Sequence, residues 1–435
     1  MKYTSTRGGT DPATLSEALA AGLAPDGGLF VPDAMPRVPL EDFEGADSLA
    51  AVAARLLAPF FAGDALADAL PAICAEALDF EAPLKPTRVD GCAVLELFHG
   101  PTAAFKDFGA RFLAACMQRL HGPGDTPRTI LVATSGDTGA AVAAAFHRRP
   151  GLRVVILYPD GRVSPRQAHQ LGCFGDNVRA LRVDGSFDDC QRLVKQALGD
   201  AALQARMPLG SANSISLGRL LPQMAYHAHA ALVHARRRGT PLNLVVPTGN
   251  LGNAFAAILA RACGLPVGAI ALATNANAVL PHFFAGADYA PQPSLATLAN
   301  AMDVGAPSNF ERLRWLYPDT ANLRKAFVAE SVDDATIRAV IARGEAQYGE
   351  VFCPHTACAI AVFERLRARR AGGDWAIAAT AHPAKFERVV EPLVGHAVDV
   401  PPALAALLDR PACAEPMAAD YAAFTHVLDR TRHAG

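Results

Sequence analysis

The chain has 435 residues, 51% of them apolar, and a formal net charge of -2. That length predicts about two or three domains with room to enclose a cofactor; the balanced charge and the lack of a basic run interleaved with aromatics exclude nucleic acid as the expected partner. Arg7, Asp11 and Glu17 break up the apolar residues of the first segment, and nowhere do about eighteen apolar residues run together, so neither a signal-peptide core nor a membrane span is expected. The reading is a cytoplasmic protein, away from membranes, acting on a small molecule.

In chain order, helical patches run from Ser48 to Phe61 and from Ala65 to Leu78, which predicts a separate, largely helical N-terminal region over 1–80. The segment His99 to Phe112 then sets Lys106 among apolar and small residues. The chain holds six lysines against thirty-four arginines, so an ordinary surface cation here would by habit be arginine. A lysine among apolar neighbours is partly desolvated, which lowers its pKa and keeps more of it as the neutral amine that forms Schiff bases. The plain alternative is a lysine on the solvent face of a helix.

From about residue 128 the pattern is regular. Thr129 to Thr134 reads as a buried strand and Ala140 to Phe146 as the helix after it. A strand at Arg153 to Tyr158, a helix at Pro165 to Leu171, a strand at Val178 to Val183 and a helix at Phe187 to Leu198 continue the alternation. Leu242 to Val246 and the helix Ala254 to Cys263 repeat it, and Ala376 to Thr380 returns as a strand. Short apolar strands separated by helices predict an α/β fold of mostly parallel sheets covered by helices on both faces. We expect one α/β domain at 81–240 and a second at 241–435, the latter with a helical insertion near 285–345. Nine cysteines are scattered; Cys353 and Cys358 come closest to a pair, but no second pair or histidine cluster completes a zinc site, so no metal is expected.

Two loops sit between a strand and a helix: Thr134-Ser-Gly-Asp-Thr-Gly139 and Pro247-Thr-Gly-Asn-Leu-Gly-Asn253. Glycines there permit a sharp turn, and the helix N-terminus offers free N–H groups to an anion. Either loop taken alone is also what turn geometry and capping require. Neither carries the Walker ending or the three-glycine dinucleotide spacing. An activated lysine together with a phosphate cradle points to pyridoxal 5'-phosphate, with the second cradle left for a substrate carboxylate. Ser211 to Arg219 adds amide and hydroxyl donors followed by a guanidinium, a set suited to a second phosphate. Its alternative is a helix capped by Asn213, Ser214 or Ser216, with Arg219 pointing to water.

Taken in this order, the motifs resemble the threonine synthase family, in the tryptophan synthase β-like group of pyridoxal phosphate enzymes with the two-domain fold type II. The likeness runs from Tyr3 to Gly8 and Asp26 to Phe30, through the segments above, to Ala273 to Asn277, Asn300 to Asp303 and Thr380-Ala-His-Pro-Ala-Lys-Phe386. It implies that Lys106 is the catalytic Schiff-base lysine, that Gly249, Asn250, Leu251, Gly252 and Asn253 cradle the cofactor phosphate, and that Thr380 faces the pyridine nitrogen. It implies that Ser135, Gly136 and Thr138 bind the substrate, with Asp137 at the cofactor where the wider group often has asparagine. Asn213, Ser214 and Arg219 would bind the phosphate of the substrate, with Asn253 sharing that task. The implied reaction turns O-phospho-L-homoserine and water into L-threonine and phosphate, in a monomer or homodimer. A dehydratase of the same fold needs no second phosphate site, a phospholyase would stop at 2-oxobutyrate, and a non-catalytic metabolite binder should have damaged motifs. His99, His355 and His382 are candidate substrate contacts or packed rings.

Overall fold

A computed structural model describes residues 1–433. Thirteen strands run along them: β1 (Tyr3–Ser5), β2 (Phe30–Pro32), β3 (Leu84–Pro86), β4 (Cys92–Glu96), β5 (Arg128–Ala133), β6 (Leu152–Pro159), β7 (Val178–Asp184), β8 (Leu209–Ser211), β9 (Leu242–Pro247), β10 (Val267–Thr274), β11 (Val328–Ser331), β12 (Trp375–Ala379) and β13 (Glu415–Ala418). The larger sheet has the order β11-β10-β9-β12-β4-β3 and the smaller β13-β7-β6-β5-β8. Every pairing in both is parallel except β3 on β4. The α/β architecture of covered parallel sheets is therefore what the chain adopts. β12, read as Ala376 to Thr380, is buried at all five positions, as a central parallel strand must be.

The sheet order positions the site. Chain connections leave β9 towards β10 on one side, while β12 and β4 lie on the other, so a crevice opens at the carboxyl ends of β9 and β12. In open α/β sheets that switch point is where ligands bind. The Pro247 to Asn253 loop leaves β9 there, Thr380 follows β12, and the segment leading to Lys106 follows β4. Facing them from the smaller sheet are the ends of β5 and β8, which are neighbours and lead into Ser135 to Thr138 and Asn213 to Arg219.

The sheets do not divide at the expected boundaries. β3 and β4, placed in 81–240, pair into the larger sheet, and β13, placed in 241–435, pairs with β7 of the smaller one. Nor does the N-terminal region pack apart: Tyr3, Leu15, Leu56, Phe60 and Leu70 share one apolar core with Phe108, Phe112 and Tyr226. Phe61 meets Phe112 edge-on at 6.0 Å, and Tyr3 donates its hydroxyl to Phe60 O at 2.7 Å. The helical patches appear as Leu49–Leu57 with the 3-10 turn Ala58–Phe61, and Leu70–Ala77, accompanied by the antiparallel pair β1 and β2. Within 285–345 the helices Phe310–Leu316, Thr320–Ala326 and Asp334–Tyr348 accompany β11, which closes the edge of the larger sheet against β10. No helix of the described residues is long and apolar enough to cross a membrane.

Candidate active site

Lys106 opens the helix Lys106–Leu120, and the loop before it is tied down on three sides. Asp107, fully buried, accepts from Thr102 N at 2.8 Å and Thr102 Oγ1 at 2.7 Å. Gly100 must be glycine, since a Cβ would stand 2.5 Å from Asp107 Oδ2. Phe105 N donates to Thr380 O at 2.8 Å and His382 N to Ala103 O at 3.0 Å, so the loop lies alongside the end of β12. The Lys106 amine stands 4.4 Å from the centre of the Phe105 ring. Burial, and after it the Arg219 guanidinium, lower its pKa to about 8, with Asp137 acting in the opposite sense.

One cavity brings together Lys106, Asp137, Ser214, Arg219, the run Gly249 to Asn253, His355 and Thr380. A second shares Lys106, Ser214, Asn250 and Ala301 with it and adds Ser135, Thr138 and Asn213. Of the expected site residues, Gly136 alone lines neither. It makes the turn before the helix Asp137–Phe146 at φ 133°, where a Cβ would also meet Gln167 at 2.7 Å.

The cradle after β9 is held open by backbone geometry. Leu251 is left-handed at φ 63° while its side chain is buried, an arrangement that costs energy for a non-glycine residue and persists where packing enforces it. At Gly249 a Cβ would come within 2.8 Å of Met302 Cα. The helix starting at Gly252 has no side-chain cap, which leaves its first N–H groups for a ligand, whereas Thr134 Oγ1 accepts from Gly139 N at 2.9 Å in the Asp137 helix and Asp107 N donates to Ala104 O at 3.1 Å in the Lys106 helix. By contrast, Ser164 and Ser186 cap their helices through reciprocal boxes.

Arg219 does not point to water. It is 1% exposed and donates Nη1 to Ala212 O at 2.6 Å, while its Nε is buried without a partner. Burial lowers its pKa to about 10, opposed by Asp107, so it stays a cation. Ser216 stands at the N-cap position but its hydroxyl makes no capping bond and is itself unpartnered. Asn250 Nδ2 donates to Ser214 Oγ at 2.8 Å, joining the cradle to the Ser211 to Arg219 segment. Asn253 is buried, and its Nδ2 also lacks a partner.

Sequence reasoning left Lys385 without a role. Its ammonium, fully buried, lies 2.8 Å from Asp137 Oδ1. The scarcity of lysine that singled out Lys106 applied equally to it. Tyr226 and His227, which contact Asn253, carry no local signal at all. Of the three histidines, His355 lines the first cavity and accepts from Ala301 N at 3.2 Å. His99 pairs with Glu96 at 2.8 Å, and His382 Nδ1 accepts from Ala384 N. Cys353 and Cys358 are buried free thiols, and among the described residues no group of three or more His, Cys, Asp or Glu side chains could hold a metal.

A buried amine of lowered pKa beside an uncapped helix end, at the switch point of a parallel sheet, is the site of a pyridoxal phosphate-dependent enzyme. The model of the pyridoxal-phosphate dependent enzyme family matches residues 82–381, and models of the threonine synthase N terminus and C-terminal region match 2–78 and 356–427. The threonine synthase of Escherichia coli is 38% identical, covering 98% of this chain and 99% of that one. Its crystal structure superposes with a TM-score of 0.91 at 37% identity, covering 99% of this chain and 100% of that chain. That of the Brucella melitensis enzyme with PLP bound superposes at 0.90 and 34% identity, covering 100% and 99%. This chain belongs to the threonine synthase family. The residues present fit the cofactor: Gly249 keeps the cradle clear, Asn253 Nδ2 is a buried donor without a partner among the described residues, and burial lowers the pKa of Lys106 to about 8.

Proposed function

We propose that this chain converts O-phospho-L-homoserine and water to L-threonine and phosphate, with pyridoxal 5'-phosphate as cofactor, and that the residues named from the sequence carry it. The observation that supports this best is one cavity lined by both an activated lysine and a buried, partly unpartnered arginine. Gly249, Asn250, Leu251, Gly252 and Asn253 would hold the cofactor phosphate on backbone N–H groups and the Asn253 amide, and Thr380 and Asp137, which line the same cavity, would hold the rest of the cofactor. Bound there, the cofactor supplies an aldehyde for an amine and a ring that draws electrons from the substrate α-carbon.

Ser135, Gly136 and Thr138 orient the substrate carboxylate through the turn at the end of β5. Asn213, Ser214 and Arg219 bind the substrate phosphate, Arg219 through its planar fork. Lys106 Nζ, as the free amine, removes the α-proton, hands it to the bound cofactor and, free again, removes a β-proton. After phosphate leaves, it returns a proton at the γ-carbon before water adds at the β-carbon. An amine can cycle through these transfers at working pH, and a guanidinium cannot. The same reading makes the enzyme cytoplasmic, a monomer or homodimer, with no nucleic-acid partner.

Purified, cofactor-loaded protein given O-phospho-L-homoserine should release phosphate and threonine in equal amounts. Formation of 2-oxobutyrate would instead make it a phospholyase, and absence of phosphate would reject the reading.

A further inference from the structure

The pair Asp137 and Lys385 lies outside the roles assigned so far for Lys385, and it joins the two sheets at the edge of the cavity. Lys385 sits in the 3-10 turn Pro383–Phe386 that follows β12, while Asp137 opens the helix that follows β5. Their charged atoms are 2.8 Å apart and the side chains are 0% and 4% exposed. Lys385 also donates to Thr102 O at 2.7 Å, and Thr102 holds Asp107 next to Lys106. Around them, Gln167 Nε2 donates to Asp137 Oδ1 at 3.0 Å, Ser164 Oγ donates to Lys385 O at 3.0 Å, and Arg166 donates to Ala384 O.

Stability alone does not account for this arrangement, because a buried ion pair is about as stable as an apolar pair of the same shape or less so. What the pair does provide is a fixed charge on the cavity wall that Lys106 shares. The groups facing Asp137 are Lys385, His355, Lys106 and Cys353. Burial works against its charge, and Lys385, His355 and the hydrogen bonds from Lys385 and Gln167 outweigh it, leaving the carboxyl below its ordinary value. His355 is itself pushed down to about 4 by burial and is uncharged at neutral pH, and Cys353 is pushed up by burial and stays a thiol. Lys106 is no lasting counter-ion, because it must spend the reaction shedding and taking protons. Among the four, Lys385 is the one ion-paired with Asp137, at 2.8 Å. Lys385 thus spans two acceptors, Thr102 O and Asp137 Oδ1, and Oδ1 also takes the Gln167 amide, on a residue that lines the cavity.

We propose that Lys385 is a positioning residue for the reaction: it holds Asp137 ionised beside Lys106, so that the carboxylate is a standing acceptor on the cavity wall, and it fixes the Thr102 to Asp107 loop from which Lys106 projects. This rests on the functional reading above, which the product assay on unaltered protein tests by itself. With the Lys385 charge removed, burial meets less opposition and the Asp137 carboxyl takes up its proton at higher pH than before.

The test compares Lys385→Met, Lys385→Arg and Asp137→Asn/Lys385→Met, all cofactor-loaded, by kcat and KM against pH and by the visible absorbance of the bound cofactor against pH, which needs no turnover. In Lys385→Met, kcat should gain an acid limb that falls about tenfold per pH unit below the new pKa, with KM little changed, and the absorbance should titrate at the same midpoint. Lys385→Arg and the double variant should lack both. If Lys385→Met does not fold, Lys385→Gln, which keeps a donor for Thr102 O without the charge, carries the same comparison. An unaltered pH profile in the uncharged variant, or a limb that persists in the double variant, overturns the proposal. Loss of kcat and stability in every variant without a new midpoint would mean a purely structural pair, and overturns it as well.

Discussion

His227 Nε2 lies 2.8 Å from Asn253 Oδ1, at the first turn of the helix Gly252–Ala262. Burial lowers the His227 pKa to about 4, so the ring is neutral, and its Nδ1 is buried without a partner. A proton on Nδ1 would be an unsatisfied buried donor, which assigns the proton to Nε2 and the acceptor role to Asn253 Oδ1. The Tyr226 hydroxyl stands 3.0 Å from the same oxygen. With Oδ1 occupied, Nδ2 is left as the unpartnered donor of a residue that lines the cavity. His227→Phe should therefore release the amide and weaken cofactor binding by about tenfold, ~1.4 kcal/mol, read by titrating the apoprotein with pyridoxal phosphate. Unchanged affinity would mean that the amide is fixed by something else.

The lowered pKa of Lys106 gives a signed pH dependence. The neutral amine is the reactive form, and its share grows as pH rises towards about 8. The rate of cofactor capture by apoprotein should climb about tenfold per pH unit below that value and flatten above it. An amine at its ordinary 10.5 would keep climbing. Stopped-flow absorbance across the range separates the two, and Lys106→Ala should bind cofactor loosely with no turnover.

Arg219 should matter for saturation more than for the chemical step. Arg219→Leu should raise the KM for O-phospho-L-homoserine by about tenfold to a hundredfold, in line with ~1.5–3 kcal/mol for a hydrogen bond to a charged group. Arg219→Lys should recover only part, because the ammonium lacks the planar fork. Steady-state kinetics of the two variants checks this, and an unchanged KM in Arg219→Leu would remove the arginine from the phosphate site.

A methyl group at Gly249 would press on Met302 Cα at 2.8 Å, backbone that has little room to yield. Gly249→Ala should shift the cradle and lower cofactor affinity while leaving the fold intact, so circular dichroism stays constant as the cofactor Kd rises.

Much of the fold is legible in the chain because β5, β6, β9 and β12 are almost wholly buried and read as largely apolar runs. β10, Val-Gly-Ala-Ile-Ala-Leu-Ala-Thr, carries that signal and is still absent from the strands expected above, whereas other missed strands lack it for local reasons. β11 is Val-Ala-Glu-Ser at a sheet edge and β13 is Glu-Pro-Met-Ala, with a proline that only an edge tolerates. β4 is a short Cys-Ala-Val-Leu-Glu whose neighbour in the sheet arrives far along the chain. At the site, Lys106 and the two loops stand out because glycine and a rare lysine are chemically conspicuous. Lys385 with Asp137, and His227 with Asn253, are pairs made only by folding, so neither partner announces the other.

β12 enters the larger sheet between β4 and β9, and β13 extends the smaller sheet beyond β7. A chain made from its N-terminus thus finishes most strands of both sheets well before the ones that complete them. Until residue 379 has been made, β4 and β9 have no strand to join them, and β7 presents a bare edge until residue 418. Such edges are templates for unwanted pairing, so the interval between synthesis of the first sheet strands and arrival of the last is when this polypeptide depends most on folding helpers and on slow, dilute conditions.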